Sequence, residues 1–326
     1  MPEVLPLPVK IEPTSGESGL GFLLRVARAN GLSLMSILEG LGLSRSIWFN
    51  EAALSVLARA TEVDHDWLAS AVAIGGRREG YRWLRWQGKF WACPLSFRGN
   101  HPQICPHCLR EGRPCMLEWE LAGVVACLRH RCLLIDACGH CGRRLNWARP
   151  SIDVCSCGFF LASSSPSAVT DAMINWTASL ALKGCECGER IRMAARDFPR
   201  WLDPLSADAW TAVGFAFGVR EGPFDRVTSA AATVPSSTER MAAILARAHA
   251  RLQGAMQLLR PAPPDLRLCV YEQGVSRLLA RNACQADRDT AAALLRWLGT
   301  SPSSAPSVRR HDSRQGELFT PLDCNE

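Results

Sequence analysis

Residues 104–145 read ICPHCLREGRPCMLEWELAGVVACLRHRCLLIDACGHCGRRL. Seven cysteines and three histidines stand in this stretch, and their spacing dictates how it must fold. Cys105 and Cys108 form a CxxC pair, a tight turn that aims two thiolates at one point. Eighteen residues separate Cys108 from Cys127, which pairs with His130. Three thiolates and one imidazole make a closed tetrahedral zinc site, and two ligand pairs across a loop of this length suit a zinc ribbon. Cys138 and Cys141 begin a second set. Cys155 and Cys157 complete it after thirteen intervening residues. Four ordered pairs in succession predict two structural zinc ions in one compact module.

Other donors compete for these roles. His107 and His140 sit inside the knuckle loops, where side chains project outward. Cys115 and Cys132 lack a paired neighbour, so each is expected to be a small buried thiol. Cys93 and His101 lie just upstream. Cys185 and Cys187 could compete with Cys155 and Cys157, but they lie beyond a Ser-rich linker, and the nearer pair is preferred. Catalytic zinc keeps an open position and favours His or carboxylate ligands, whereas both sets here are closed and rich in thiolate. The sequence has no HExxH, no GxxxxGK[ST] phosphate loop, no GxSxG, and no pairing of HxE with PCxxC. A redox CxxC would need a βαβ setting that the flanking sequence does not offer. The expectation is a protein that is not an enzyme.

Composition agrees. The chain has 326 residues, 48% of them hydrophobic, enough for two or three units with buried cores. The amino terminus, MPEVLPLPVKIEPTSGE, has prolines and acids where a signal peptide needs a basic start and an apolar core. No uncharged apolar run reaches the roughly 18 residues of a membrane span. A soluble cytoplasmic protein with no membrane association is expected, and its 15 cysteines then point to metal rather than disulfides. The net charge of +6 is unevenly placed. Residues 77–149 hold 13 Lys/Arg and 5 Asp/Glu, a net +8, and the remainder holds 24 and 26, a net −2. Such concentration suggests a polyanion, most simply DNA. The alternative is a solvated Arg-rich surface. In GYRWLRWQGKFWA (80–92), a short β-hairpin with QGK as its turn, basic residues alternate with aromatics, as nucleic-acid contacts would. The same aromatics would equally serve as core. Candidate DNA contacts are Arg77, Arg78, Arg82, Arg85, Lys89, Arg143 and Arg144.

The rest reads as helix. ESGLGFLLRVARANG has apolar residues at helical spacing and Gly31 as a stop. Ser33 can cap a second helix, Asn50 a third over EAALSVLARATE, and Asp64 a fourth over HDWLASAVAIGG. The last two, joined by TEV, are compatible with a helix-turn-helix that would place Asp66 to Ser70 near a groove. The second of them is poor in basic residues, which favours a plain helical hairpin. ASSSPSA (162–168) reads as a linker. Helices are expected at 169–183, 205–218, over TERMAAILARAHARLQGAMQLL, near 271–282 and at 287–298. The fold class is mainly α with a small zinc-ribbon β region. Residues 1–76 would be a helix-turn-helix-like unit, 77–160 a tandem zinc-finger module, 161–298 a helical region and 299–326 a disordered tail.

The order ICPHCLREG…LEWELAGVVACLRHRCLLIDACGHCGRRL…CSCG resembles the TniQ/TnsD family of transposition proteins. So does PLPVKIEPTSGESGLGFLLRVARANGLSL, where a Pro-rich segment leads through GES to a helix and ANG. Together they cover roughly residues 5–160. Carried onto this sequence, the family's metal ligands fall on Cys105, Cys108, Cys127, His130, Cys138, Cys141, Cys155 and Cys157, the set that spacing selects. The resemblance implies a non-catalytic, DNA-associated subunit that selects the target site. Such a subunit recruits an AAA+ regulator, and through it the transposase, and would act at the bacterial nucleoid. Family members recognise target DNA themselves or ride on an RNA-guided CRISPR complex, often as dimers. CPLSFRGNHPQ departs from the family pattern, and residues after about 230 match it weakly. A stand-alone zinc-finger transcriptional regulator is the alternative.

Overall fold

Side-chain caps start the amino-terminal helices where the sequence places them. In the computed structural model, Ser18 accepts from the Gly21 amide to open α1 (Gly19–Ala29). Ser33 accepts from Ser36 to open α2 (Leu34–Gly40), Asn50 from Ala53 to open α3 (Glu51–Thr61), and Asp64 from Trp67 to open α4 (His65–Ala71). Each oxygen satisfies one of the amides that a helix start leaves without a partner. The structure describes residues 4–78, 81–91, 96–185, 198–228, 237–255, 261–280 and 284–299; of 76–83, 90 and 277–280 the backbone alone is described. The chain divides into two units. One is Met1–Ala194 with Pro235–Met241, and the other is Ala195–Val234 with Ala242–Glu326. No helix among the described residues is long and apolar enough to cross a membrane.

In the first unit, α1 to α4 enclose a core of Phe22, Leu24, Leu34, Leu54, Leu57 and Leu68. The fourth helix ends five residues before the expected Gly76. Val72 is already extended, and the chain turns into β1 (Ile74–Arg78). This strand pairs antiparallel with β2 (Tyr81–Trp86), which pairs with β3 (Lys89–Trp91). The expected hairpin is therefore two strands of a three-stranded sheet. Gln87 and Gly88, both at positive φ, form the two-residue turn that matches strand twist. Trp86, Trp91 and Phe97 pack edge to face with centroids 4.7–5.7 Å apart. These aromatics are buried and serve as core. The side chains of Tyr81 and Trp83 lie outside the described set.

The amino-terminal segment is stitched onto the cysteine-rich region. Glu17 and Met116 form an antiparallel bridge. Its hydrogen bonds run from Ser18 N to Cys115 O, 2.8 Å, and from Leu117 N to Gly16 O, 2.8 Å. The Ser18 hydroxyl also donates to Glu120 Oε1 at 2.5 Å. Arg149, 1% exposed, sits beside this corner with one guanidinium nitrogen 3.8 Å from Cys115 Sγ and its carbon 5.1 Å above the Trp147 ring. Trp147 reaches into the core of the helices. A second buried knot lies at Asp136, which takes Arg98 in an ion pair, Arg144 at 3.0 Å and the Thr238 amide at 3.2 Å. Gln103 accepts from the Thr238 hydroxyl at 2.9 Å and donates to the carbonyls of Trp119, Leu121 and Val124. Each of these deep side chains is held by at least one hydrogen bond or ion pair, which offsets part of the cost of burying it. α5 (Pro106–Arg110) and the strand pair β4 (Ala126–Cys127) and β5 (Cys132–Leu133) complete the cysteine-rich region, and α6 (Asp171–Gly184) follows.

The second unit is helical. α7 (Ala207–Gly218) is buried at eleven of its twelve positions, as a central helix should be. Its start is held by Asp287, which accepts from the Ser206 amide at 2.9 Å and hydroxyl at 2.7 Å. Its end is held by Arg251, whose guanidinium donates to the Phe217 carbonyl at 2.6 Å. Both charges suit the helix dipole. The other helices are α8 (Thr238–Gln253), whose first turn belongs to the first unit and which lies in the second from Ala242, α9 (Pro264–Cys269), α10 (Glu272–Ala280) and α11 (Gln285–Trp297). Of these, α9, a six-residue helix that begins on the last proline of PAPP, was not expected. The tail expected to be disordered lies, from residue 300, outside the described residues.

Candidate metal centres

Local turns aim the donors. Cys105 caps α5 through its sulfur, which accepts from the Cys108 amide at 3.5 Å, and Pro106 occupies the first helical position, where it needs no amide partner. Ile104 and Ile135 exchange backbone hydrogen bonds of 2.9 Å, which sets this knuckle against the following ribbon. Cys127 ends β4, opposite Cys132. The His130 amide donates to Cys127 Sγ at 3.4 Å, and Arg131, at φ 48°, turns the chain into β5. In the second set the Gly142 amide returns to Cys138 O and the Gly158 amide to Cys155 O, at 2.9 and 2.8 Å.

The donor atoms converge on two points. Cys105, Cys108, Cys127 and His130 each bring one atom within 4.8 Å of all the others, as do Cys138, Cys141, Cys155 and Cys157. His130 Nδ1 stands 3.5, 3.3 and 3.5 Å from the sulfurs of Cys105, Cys108 and Cys127, and Cys108 and Cys127 are 3.7 Å apart. In the second set Cys138 and Cys157 are 3.8 Å apart and Cys141 and Cys155 3.9 Å. A tetrahedral zinc with bonds of about 2.3 Å to sulfur and 2.0–2.1 Å to nitrogen has edges of about 3.8 Å (S···S) and about 3.5 Å (S···N). The residues present fit such an ion at both points. Thiols so close cannot all ionise without a cation: sharing protons with Cys105 pushes Cys108 upward, and the same contact with Cys105 pushes Cys127 up to about 11. Burial pushes Cys155 up to about 12. A bound cation would reverse that balance.

His130 has a second partner. Its Nε2 lies 2.9 Å from Glu111 Oε1, and Arg129 Nε donates to the other carboxylate oxygen at 3.0 Å. Glu111 is the C-cap of α5, so the knuckle that supplies two thiolates also orients the imidazole. A carboxylate on the far nitrogen fixes the tautomer and raises the basicity of the ligating one. Spacing carries no signal for this role, because Glu111 and His130 stand nineteen positions apart in an ordinary polar loop.

The competing donors fall elsewhere. Cys132 is buried, with its sulfur 3.7 Å from Cys105 Sγ, but it is outside the four whose atoms all converge. Cys115 is buried, and burial pushes its thiol up to about 11. His107 lies beside His130, ring centroids 5.4 Å apart. His140 stacks on Phe159, and His101 contacts Leu145 O at 3.2 Å. Cys185 is buried at the end of α6. Cys93 and Cys187 lie outside the described residues.

The basic candidates are mostly engaged. Arg85 pairs with Glu51, Lys89 Nζ donates to Lys183 O at 3.1 Å, and Arg144 pairs with Asp136. Arg143 hydrogen-bonds the Cys141 thiol and thereby holds it down at about 6. Arg77 and Arg82 face one another in register on β1 and β2, next to Arg78; the side chains of all three lie outside the described set.

Residues 8–134 match the family model TniQ. That span holds α1 to α5, the sheet and all four donors of the first set, and it stops before the second set. No curated protein matches the chain. The Glu17–Met116 bridge joins the two stretches that carry the family pattern, GES and the first knuckle, within one folded unit. Residues 8–134 of this chain thus match a TniQ domain.

Proposed function

We propose that the chain is a non-catalytic adaptor that associates with target DNA, selects the transposition site and recruits an AAA+ regulator, which brings the transposase. The observation that carries this reading is the TniQ domain built around a Cys3His set with four protein donors. Four protein donors leave zinc no open position for a substrate, so the metal's part is to hold the fold. With zinc bound, Glu111 orients His130 and the two knuckles stay clamped together through Ile104 and Ile135. Binding energy and folding energy are then the same quantity, and loss of metal is expected to unfold residues 93–160.

The test is a pull-down on target DNA with the AAA+ protein encoded beside it. Ternary association at low salt is expected, and no association overturns the reading. Sequence-specific binding by the chain alone, with altered transcription and no transposase nearby, would favour a stand-alone regulator. Co-purification with a guide RNA complex would assign the RNA-guided mode of targeting. Sedimentation of the same preparation tests for a homodimer.

A further inference from the structure

A cleft of about 360 Å³ opens in the first unit between α1, the loop that follows α5 and the loop that precedes Cys155. Three arginines line it, from two separate elements: Arg25 and Arg28, one turn apart on α1, and Arg113 beyond the first knuckle. They differ in what already holds them. Arg25 is fixed, since its guanidinium pairs with buried Glu17 at 3.3 Å and donates to Glu12 O at 3.0 Å. Arg28 is exposed, and its guanidinium makes no hydrogen bond or ion pair with the described residues. Arg113 keeps a buried Nε with no hydrogen-bond partner among them, and its charge acts on Glu118. Burial pushes Glu118 up to about 7, so this acid offsets the arginine only in part. The one carboxylate in the cleft, Asp153, already accepts from Ser151. Leu109 and Ile152 supply apolar wall.

We propose that this cleft seats a phosphodiester of nucleic acid, held by Arg28 and Arg113 from two separate elements, with a sugar against Leu109 and Ile152. Guanidinium forks match phosphate oxygens in a plane. The cleft has room for one such unit, and the exposed Arg28 guanidinium at its rim has no partner among the described residues to give up. None of the seven basic residues singled out from the sequence lines it. Of those, Arg85, Lys89, Arg143 and Arg144 already have partners within the fold. The inference rests on the DNA-associated reading and locates its contact.

The experiment uses the full zinc-loaded chain and fluorescence anisotropy across a salt series. The probes are a short mixed-sequence DNA duplex and, separately, a poly-glutamate peptide of equal charge. Arg28→Ala with Arg113→Ala should weaken duplex binding about tenfold and lower the slope of log K against log salt by about one unit. Arg28→Lys with Arg113→Lys should keep the slope. Zinc content and melting temperature equal to wild type establish that the variants fold; if the alanine pair does not fold, Arg28→Glu alone, at an exposed site, carries the test. Wild-type affinity and slope in the alanine pair overturn the proposal. Failure of the unaltered chain to bind duplex, or arginine-dependent binding of poly-glutamate alone, overturns it as well. The adaptor reading is judged separately by the pull-down, so a recruited AAA+ protein with an indifferent cleft separates the two failures.

Discussion

His130 stands between a metal point and a carboxylate: Nδ1 faces three cysteine sulfurs at 3.3–3.5 Å, and Nε2 meets Glu111 at 2.9 Å. Replacing Glu111 by Ala removes the group that orients the ring and leaves the four donors in place. Zinc affinity of the first set should fall about 10- to 100-fold, read by competition against a chromogenic chelator. Glu111→Gln should lose less, since it can still accept from the ring N–H. Unchanged affinity in Glu111→Ala would make the carboxylate a bystander.

The two sets differ in access, and this predicts an order of reaction. Cys157 is exposed and Cys141 half-buried, whereas Cys105, Cys108 and Cys127 are buried. Arg143 also holds Cys141 toward its thiolate form, the reactive species. Limited alkylation of the folded, zinc-loaded chain, followed by mass spectrometry, should label Cys157 and Cys141 before any cysteine of the first set. Labelling of Cys105 first would contradict the burial.

Stability should fall as pH rises toward neutrality. Burial holds Glu120 up at about 7, against the weaker pull of the Ser18 hydrogen bond and of Arg149. Unfolded, the same carboxyl ionises near 4.3. Between those values the folded chain keeps a proton that the unfolded chain has lost. This contribution is therefore complete below the unfolded value and disappears as pH rises through 7. Glu118, also raised to about 7 by burial, adds the same sign. With zinc saturating, the melting temperature should drop mainly between about pH 5 and 7 and level off above that, each group contributing at most about 1.4 kcal/mol per pH unit. Glu120→Gln, which can still accept from Ser18, should remove roughly half of the slope.

Gly21 tests the seam between α1 and the cysteine-rich region. A Cβ there would stand 2.8 Å from Cys115 Cβ, closer than atoms pack. Gly21→Ala should cost about 1–3 kcal/mol by overpacking, although alanine is the better helix former. Cys115→Ala keeps the offending Cβ and should not restore stability, which chemical denaturation of the double variant would show.

Local grammar was the most legible part of the fold. Ser33, Asn50 and Asp64 cap helices as expected, Ser18 adds a fourth cap beyond those expected from the sequence, and the eight donors converge as their spacing requires. β1 was hidden because Gly75 and Gly76 carry no alternation and the helical pattern of α4 ran into them. α5 is five residues inside a knuckle, too short to show a period. Part of the basic excess is internal to the fold. Arg98 and Arg149 belong to the basic excess of residues 77–149, yet both are buried, and Arg144 is tied to Asp136. Their partners, Asp136, Thr238 and Cys115, are 34 to 140 positions away except for the Arg144–Asp136 pair, so a linear reading sees cations and not the pairs. Glu111 and the α1 cleft escaped for the same reason: each joins segments that only the tertiary structure makes neighbours.

The bridge between Glu17 and Met116 spans 99 positions, and this gives the chain a schedule. At about 5–20 residues per second of translation, the ribosome takes roughly 5–20 s to deliver the strand that covers Ser18 and Gly21. Closing so long a loop is slow to reward. Until then, the first helix of the nascent chain has an edge with nothing to lie against, and the thiolates that anchor its future partner are still unmade. A pause in synthesis between residues 30 and 115 would lengthen that exposure, and slow codons placed across this stretch are expected to lower the yield of folded protein.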